Sequence, residues 1–243
     1  MTRNTRPAQV FIGTTVVAGL IATSYAGLQS HTLHLPYALA LLALASATSR
    51  MKVKLPGIAG NMSVNLPFLL IAVISLSAME SVTIACLSTV LQSLPRREAK
   101  YKPEQMLFNV SMMGFAASAA SLISHAGSPL KPGWASDPLM VALTTAVFFV
   151  GQTAPVAAII ALTEGTAMRR IWLNIAQLSF PYFVLSAGLA SMMNTVTRGV
   201  GWEVALGIFP VMYAIHRSYR LYCANAAESP RLSPLTRVAR AGT

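Results

Sequence analysis

The segment 66-LPFLLIAVISLSAMESVTIACLSTVLQSL-94 decides how the rest of the chain is interpreted. It is apolar apart from small hydroxyl residues, one amide near its end and a single acid, Glu80. As one continuous helix it would be about 44 Å long, at about 1.5 Å per residue. That exceeds the roughly 30 Å hydrocarbon core of a membrane, yet it is short for two full crossings. The segment therefore raises two questions: how it crosses, and why it keeps an acid.

The composition places the chain in a membrane. Hydrophobic residues make up 54% of the 243 residues, and charged residues only 10%. A soluble domain carries about 25% charged residues, so this chain has too few charges to cover a water-facing surface. The composition favours a polytopic integral membrane protein with the lipid bilayer as its main partner.

Six further apolar runs accompany segment 66–94. Most approach the roughly 20 residues that cross a bilayer as a helix. The pattern predicts an all-α fold, a polytopic membrane bundle of seven or eight segments over residues 1–224. Residues 225–243 are predicted to be a basic, disordered cytoplasmic tail, because they offer little apolar surface to bury. The additional runs are roughly 9–28, 35–49, 106–125, 138–163, 171–194 and 202–216.

The distribution of basic residues selects a crossing pattern for the long segment. If it crosses once, the basic loops 50–54 and 96–102 lie on opposite sides of the membrane. If it breaks near 78–81 and crosses twice or re-enters, all 18 Lys and Arg residues except Lys131 and Arg198 fall on one side. Cytoplasmic loops carry an excess of Lys and Arg. We therefore predict a broken or re-entrant helix pair, with both termini cytoplasmic.

The net charge of +11 does not indicate nucleic-acid binding, because the basic residues lie between apolar runs and in the tail. The two cysteines, Cys86 and Cys223, form no C-x-x-C pair. No zinc-binding H-E-x-x-H helix, G-x-S-x-G elbow or phosphate-binding loop is present. The sequence therefore predicts no enzyme, no catalytic residue, no metal site and no cofactor.

Polar residues within the apolar runs are the candidate ligand-binding residues. Glu80 lies near the predicted break, and an unpaired acid at membrane depth is costly. It could stabilise the break through Ser77, Ser81 and free backbone amides, or it could face a cavity and meet a ligand or a proton. Asn109 and Gln152, on later helices, complete the candidate cavity.

Two local patterns predict structure rather than chemistry. Small residues recur along the run 106–125 at Ser111, Gly114, Ser118 and Ser121, and such a seam favours close helix packing in lipid. Apolar and basic residues alternate over 51–55, which indicates an extended stretch.

Four stretches together resemble a known family pattern: LPGIAGNMSVNLPFLLIAV, LSAMES, MLFNVSMMGFAASAASLI and PVMYAIHRSYRLY. The chain over about 50–222 is similar to the membrane-embedded N-terminal region of bacterial signalling proteins that carry GGDEF or HD-GYP output domains. We expect no output domain after the last apolar run, because the short segment that follows has too little apolar content for a core. The positions that match are Phe68, Glu80, Phe108, Asn109, Pro210, Tyr213, Arg217, Tyr219 and Tyr222.

The resemblance implies a non-catalytic ligand-sensing or signal-input module in a bacterial cytoplasmic membrane. Its partners would be an unidentified small-molecule ligand and a cytoplasmic signalling protein. The alternative is the substrate-binding subunit of a small-molecule transporter, similar to the substrate-binding components of vitamin-uptake systems, with transporter subunits as partners.

Overall fold

The computed structural model describes residues 5–28, 33–54, 61–94, 102–126, 138–214, 217, 218 and 221. Within them the chain is predominantly helical. The 225–243 tail and Lys131 lie outside the described residues. In chain order the elements are α1 (Thr5–Leu28), α2 (Leu35–Ser49), β1 (Lys52–Lys54), β2 (Asn61–Ser63), α3 (Leu66–Ser75), α4 (Ala78–Ser93), α5 (Pro103–Ala126), α6 (Pro138–Glu164), α7 (Met168–Val200), a 3-10 helix (Trp202–Gly207) and α8, which begins at 208 and whose described helical residues are 208–214, 217, 218 and 221.

The two strands are a small addition to the predicted all-α fold. They pair antiparallel, with Lys52 opposite Ser63 and Lys54 opposite Asn61. The alternation of apolar and basic residues over 51–55 predicted an extended backbone, and β1 confirms it. The strand pair carries the chain from the end of α2 to the start of α3.

The long apolar segment is broken, as predicted, into the helices α3 and α4. The break lies at Leu76 and Ser77, slightly before the predicted position, and both residues have an extended backbone. The difference has a local cause: the Ser77 hydroxyl caps the N-terminus of α4, so the new helix begins at once. Glu80 consequently lies in the first turn of α4 rather than in the break itself.

Helix α3 forms the centre of the core. Each residue from Leu66 to Ile74 is buried, and Phe68, Leu70 and Ile71 have no exposed surface. A helix that is apolar on every side is stable only when protein or lipid surrounds it completely. Here α2, α4, α5 and α7 pack around α3.

Helices α1 and α5 run in the same direction. Phe11 stacks against Phe108 with ring centroids 6.2 Å apart. Further along both helices, a side chain on Gly114 would collide with the Thr23 methyl group. Two residues of the predicted seam, Ser111 and Gly114, therefore lie against α1, at Gly19 and Thr23, as expected of close helix contacts.

The remaining contacts fix the directions of α4, α6 and α7. Helix α4 runs antiparallel to α5, with the Cys86 thiol against the Val110 carbonyl. Helix α6 also runs antiparallel to α5, because Gly151 packs on Ala116 while Gln152 reaches Met113. Helix α7 returns antiparallel to α6 through the contacts of Phe149 with Phe183 and of Trp172 with Thr153.

These directions give the bundle two chemically different ends. At one end lie the N-termini of α1, α5 and α7 together with the C-terminus of α2. We call this the basic end, because it carries five of the described basic residues. The other end holds the starts of α2 and α4 and the ends of α3 and α7, and we call it the break end. The basic-end residues are Arg6, Arg50, Lys102, Arg169 and Arg170.

Among the residues that the structure describes, four helices are long and apolar enough to cross a membrane: α1, α5, α6 and α7. The apolar helices α2 and α3 are shorter, at 15 and 10 residues. The run 202–216, predicted as a further segment, begins as a 3-10 helix and continues as α8 from 208. Helix α7 extends to Val200 before it, and Gly201 ends α7 with a φ of +120°.

Candidate functional site

The Glu80 carboxylate is buried at the break end and binds two elements at once. Its Oε1 accepts a hydrogen bond from the backbone N–H of His34 at 2.6 Å. Its Oε2 accepts from the Ser77 backbone N–H at 3.1 Å and from the Ser77 hydroxyl at 2.8 Å. The Ser77 hydroxyl also accepts from the Glu80 backbone N–H, which completes a capping box.

This arrangement lets one carboxylate serve two helix N-termini. His34 is the N-cap residue of α2 and Ser77 that of α4, and Glu80 accepts the backbone N–H of both. Helix α2 has no side-chain cap of its own. In a capping box, the acid three residues after the N-cap accepts the N-cap backbone N–H of its own helix. Glu80 does this for α4 and also accepts the N-cap backbone N–H of α2.

Two helix N-termini also compensate the charge of Glu80. Each carries the equivalent of about half a positive charge, so two of them roughly balance one carboxylate. Among the residues that the structure describes, no Lys or Arg forms a salt bridge with Glu80. The backbone is thus the counter-charge that allows an acid inside this apolar segment. The contacts agree with the structural alternative raised by the sequence.

Ser81 joins the two halves of the broken helix. Its hydroxyl lies 2.7 Å from the Ala72 carbonyl of α3 and 2.9 Å from the Ser77 carbonyl of α4. The Ala72 carbonyl also accepts the Leu76 N–H at the end of α3. Ser81 thus supplies an additional donor near the end of α3, and it is completely buried there.

A second polar cluster lies at the break end, between α2, α3 and α7. Ser75, the last residue of α3, has its Oγ 3.4 Å from the Asn194 Oδ1 of α7. The Tyr37 phenol of α2 lies near the hydroxyls of Ser75 and Thr197. Tyr37 and Asn194 are both more than nine-tenths buried. We call these four residues the oxygen cluster, because oxygen atoms meet at its centre.

The structure brings together three of the five predicted site residues. Ser77, Glu80 and Ser81 form the junction just described. No described hydrogen bond joins Asn109 or Gln152 to it. Gln152 donates instead to the Met113 sulfur at 3.1 Å.

Asn109 lies at a different depth from Glu80. It precedes Val110, whose carbonyl contacts Cys86 on α4. Cys86 is about 9 Å along α4 from Glu80, at about 1.5 Å per residue. Asn109 therefore lies further toward the basic end than Glu80.

Several residues of this region were not predicted from sequence. The sequence S77-A-M-E80 ahead of an apolar run is a capping-box signature, and it could have located both the break and the role of Glu80. His34 bonds Glu80 through its backbone N–H, so the identity of its side chain could not have indicated this contact. Tyr37, Asn194 and Thr197 are far apart in sequence and meet only through packing of α2 and α7 on α3.

No protein-family model matches this chain, and neither a curated protein nor a solved structure matches it significantly. The evidence for its function is therefore the arrangement of its own residues.

Proposed function

We propose that the chain is a non-catalytic integral membrane protein that acts as a ligand-sensing or signal-input module. The observation that carries the proposal is the junction at the break end. There the starts of α2 and α4 and the ends of α3 and α7 meet within a few hydrogen bonds of one another. A ligand that changes any of these bonds would shift several helices together, because packed helix junctions tend to have discrete alternative arrangements.

The proposal includes an orientation in a bacterial cytoplasmic membrane. The basic end faces the cytoplasm and the break end faces outward, since Lys and Arg are enriched on the cytoplasmic side. In this orientation α3 and α4 enter from the cytoplasm, turn at Ser77 and return. Both termini are cytoplasmic, and the segment count is seven or eight. The five basic residues gathered at one end support this orientation.

The similarity to GGDEF and HD-GYP sensory regions supports the same function. Of the matching positions, Phe68 is in the buried α3, Glu80 is at the junction and Phe108 is buried on α5. Such a module would pass its signal to a cytoplasmic partner near the basic end. Its ligand would be a small molecule that reaches the break end from outside, with Glu80, Ser77 and Ser81 nearest.

A transport subunit is the second candidate function, and the broken helix favours it. Discontinuous helices in transporters often form substrate and ion sites, because helix ends carry partial charges and free backbone groups. In this case the chain would bind a substrate for separate transporter subunits, in the manner of vitamin-uptake substrate-binding components.

Native mass spectrometry on the purified full-length chain tests the proposal. A sensor should release a bound small molecule, and adding that molecule back should raise the melting temperature. In proteoliposomes the same molecule should bind without accumulating in the lumen. Accumulation that depends on a co-purified ATPase would instead establish the transport function. The absence of any bound or stabilising small molecule would contradict both.

A further inference from the structure

The oxygen cluster at the break end combines groups of one chemical kind. The hydroxyls of Tyr37, Ser75 and Thr197 and the amide of Asn194 contribute oxygen atoms from three helices. The Thr197 hydroxyl is buried near the Tyr37 phenol. Hard cations are bound in proteins by such oxygen atoms.

The backbone around the oxygen cluster also favours a cation. Ser75 ends α3, and Thr197 lies in the last turn of α7. A helix C-terminus carries the equivalent of about half a negative charge. In α3, the Leu76 N–H bonds the Ala72 carbonyl, so the carbonyls of the last three residues have no partner within the helix. Two C-termini therefore converge on the cluster, as two N-termini converge on Glu80.

The charge of the surroundings limits which cation fits. The four side chains are neutral, and none of them is a carboxylate, which divalent cations usually require. Two carboxylates of described residues lie near this end: Glu80 of the junction, and Glu203, which is beside Gly201, whose N–H bonds the Thr197 carbonyl. Glu80 bonds Ser77, two residues beyond Ser75, so its carboxylate is within about 10 Å of the cluster. The negative surroundings favour a cation, and the lack of a carboxylate among the four side chains favours a monovalent one over a divalent one.

We propose that the oxygen cluster is a binding site for one monovalent alkali cation, with Na⁺ as the probe. The ion contacts Ser75, Asn194 and Thr197, with Tyr37 beside them, and the last carbonyls of α3 complete its oxygen ligands. Bound there, it links α2, α3 and α7 at the break end. This site goes beyond the proposed function, because it stands whether the chain senses a ligand or transports one.

Thermal unfolding of the purified full-length chain tests the site. The three tryptophans allow melting to be followed by intrinsic fluorescence. Samples in NaCl and in choline chloride at equal ionic strength differ only in the small cation, so general screening cancels. At a Na⁺ concentration about ten times its dissociation constant, the melting temperature should be higher by about 3–5 °C in NaCl.

Variants show whether the effect belongs to the oxygen cluster. Ser75→Ala and Thr197→Val each remove an oxygen and should abolish the Na⁺-dependent shift. Asn194→Asp keeps the shape and adds a negative charge, so half of the maximal shift should appear at a Na⁺ concentration about tenfold lower. Ser186→Ala is the matched control, because Ser186 is a buried hydroxyl of α7 that bonds the Tyr182 carbonyl of its own helix. It should retain the full shift.

Two results would overturn the site. One is a wild-type melting temperature that is the same in NaCl and in choline chloride. The other is a Na⁺ shift that persists unchanged in both Ser75→Ala and Thr197→Val, since the ion would then bind elsewhere. If either variant fails to fold, Asn194→Asp decides instead. If the Na⁺ concentration that gives half of the maximal shift is the same in Asn194→Asp as in the wild type, the site is contradicted. Neither result depends on a small-molecule ligand, so it leaves the proposed function to its own test.

Discussion

Helices α1 and α3 are both strongly apolar, yet they occupy opposite environments. From Leu66 to Ile74, α3 is buried on every side, whereas only 11% of the most apolar window of α1 is buried. Hydropathy alone does not separate a helix that faces lipid from one that fills a core. The difference lies at the ends: α3 ends at a junction rich in hydrogen bonds, whereas α1 packs mainly through small residues.

The comparison predicts where a large side chain matters most. Phe68→Ala in α3 should lower the free energy of unfolding by about 4 kcal/mol, because it leaves a cavity in a completely buried site. Leu20→Ala in α1 should cost well under about 1 kcal/mol, because Leu20 is 61% exposed and lipid can fill the space. Unfolding in mixed detergent micelles measures both values. Equal losses would mean that α1 is packed in the way α3 is.

Glycine substitutions in α1 test where this helix packs closely against a neighbour. A side chain on Gly19 would collide with the Ser111 backbone of α5, whereas nothing lies within 4 Å at Gly13. Gly19→Ala should therefore cost about 2 kcal/mol through overpacking. Gly13→Ala should stabilise α1 by about 0.5–1 kcal/mol, because alanine is the better helix former. A neutral Gly19→Ala in the same unfolding assay would show that α1 does not dock on α5 at Ser111.

The smallest of the three effects concerns the junction. Glu80→Gln should lower the free energy of unfolding by about 1.5 kcal/mol, because an amide cannot accept from both the His34 and Ser77 backbones without turning its NH₂ toward one of them. The matched control is Glu104→Gln, an exposed acid in the first turn of α5. It should cost a few tenths of a kcal/mol. If the two variants are equally stable, Glu80 does not hold the junction together.

The sequence predicted the helical class, the membrane environment and the break within 66–94. These follow from composition, apolar length and the spacing of basic residues, which are properties of the local sequence. The exact place of the break depended on the capping box of Ser77 and Glu80, a short pattern in a segment interpreted mainly by its hydropathy. The structure of the run 202–216 was harder to predict. The run is apolar enough for a span, but the helix before it extends to Val200, beyond the apolar run 171–194.

The candidate site was only partly predictable. Glu80, Ser77 and Ser81 are neighbours in sequence, so a local pattern could group them. Asn109 and Gln152 were grouped with them by polarity alone, and the depth at which each helix packs separates them. The oxygen cluster could not be found from sequence, because Tyr37 and Asn194 meet only when α2 and α7 pack against α3.

The account rests on the long apolar segment turning back, so that its two ends lie on the same side of the membrane. Single cysteines at Leu33, near the break, and at Leu94, after α4, test this directly in a chain carrying Cys86→Ala and Cys223→Ser. Both positions are exposed. In intact cells an impermeant maleimide should label Leu33→Cys, and Leu94→Cys should react only after the membrane is permeabilised. Labelling of both from outside would mean that 66–94 crosses once, which would contradict the account.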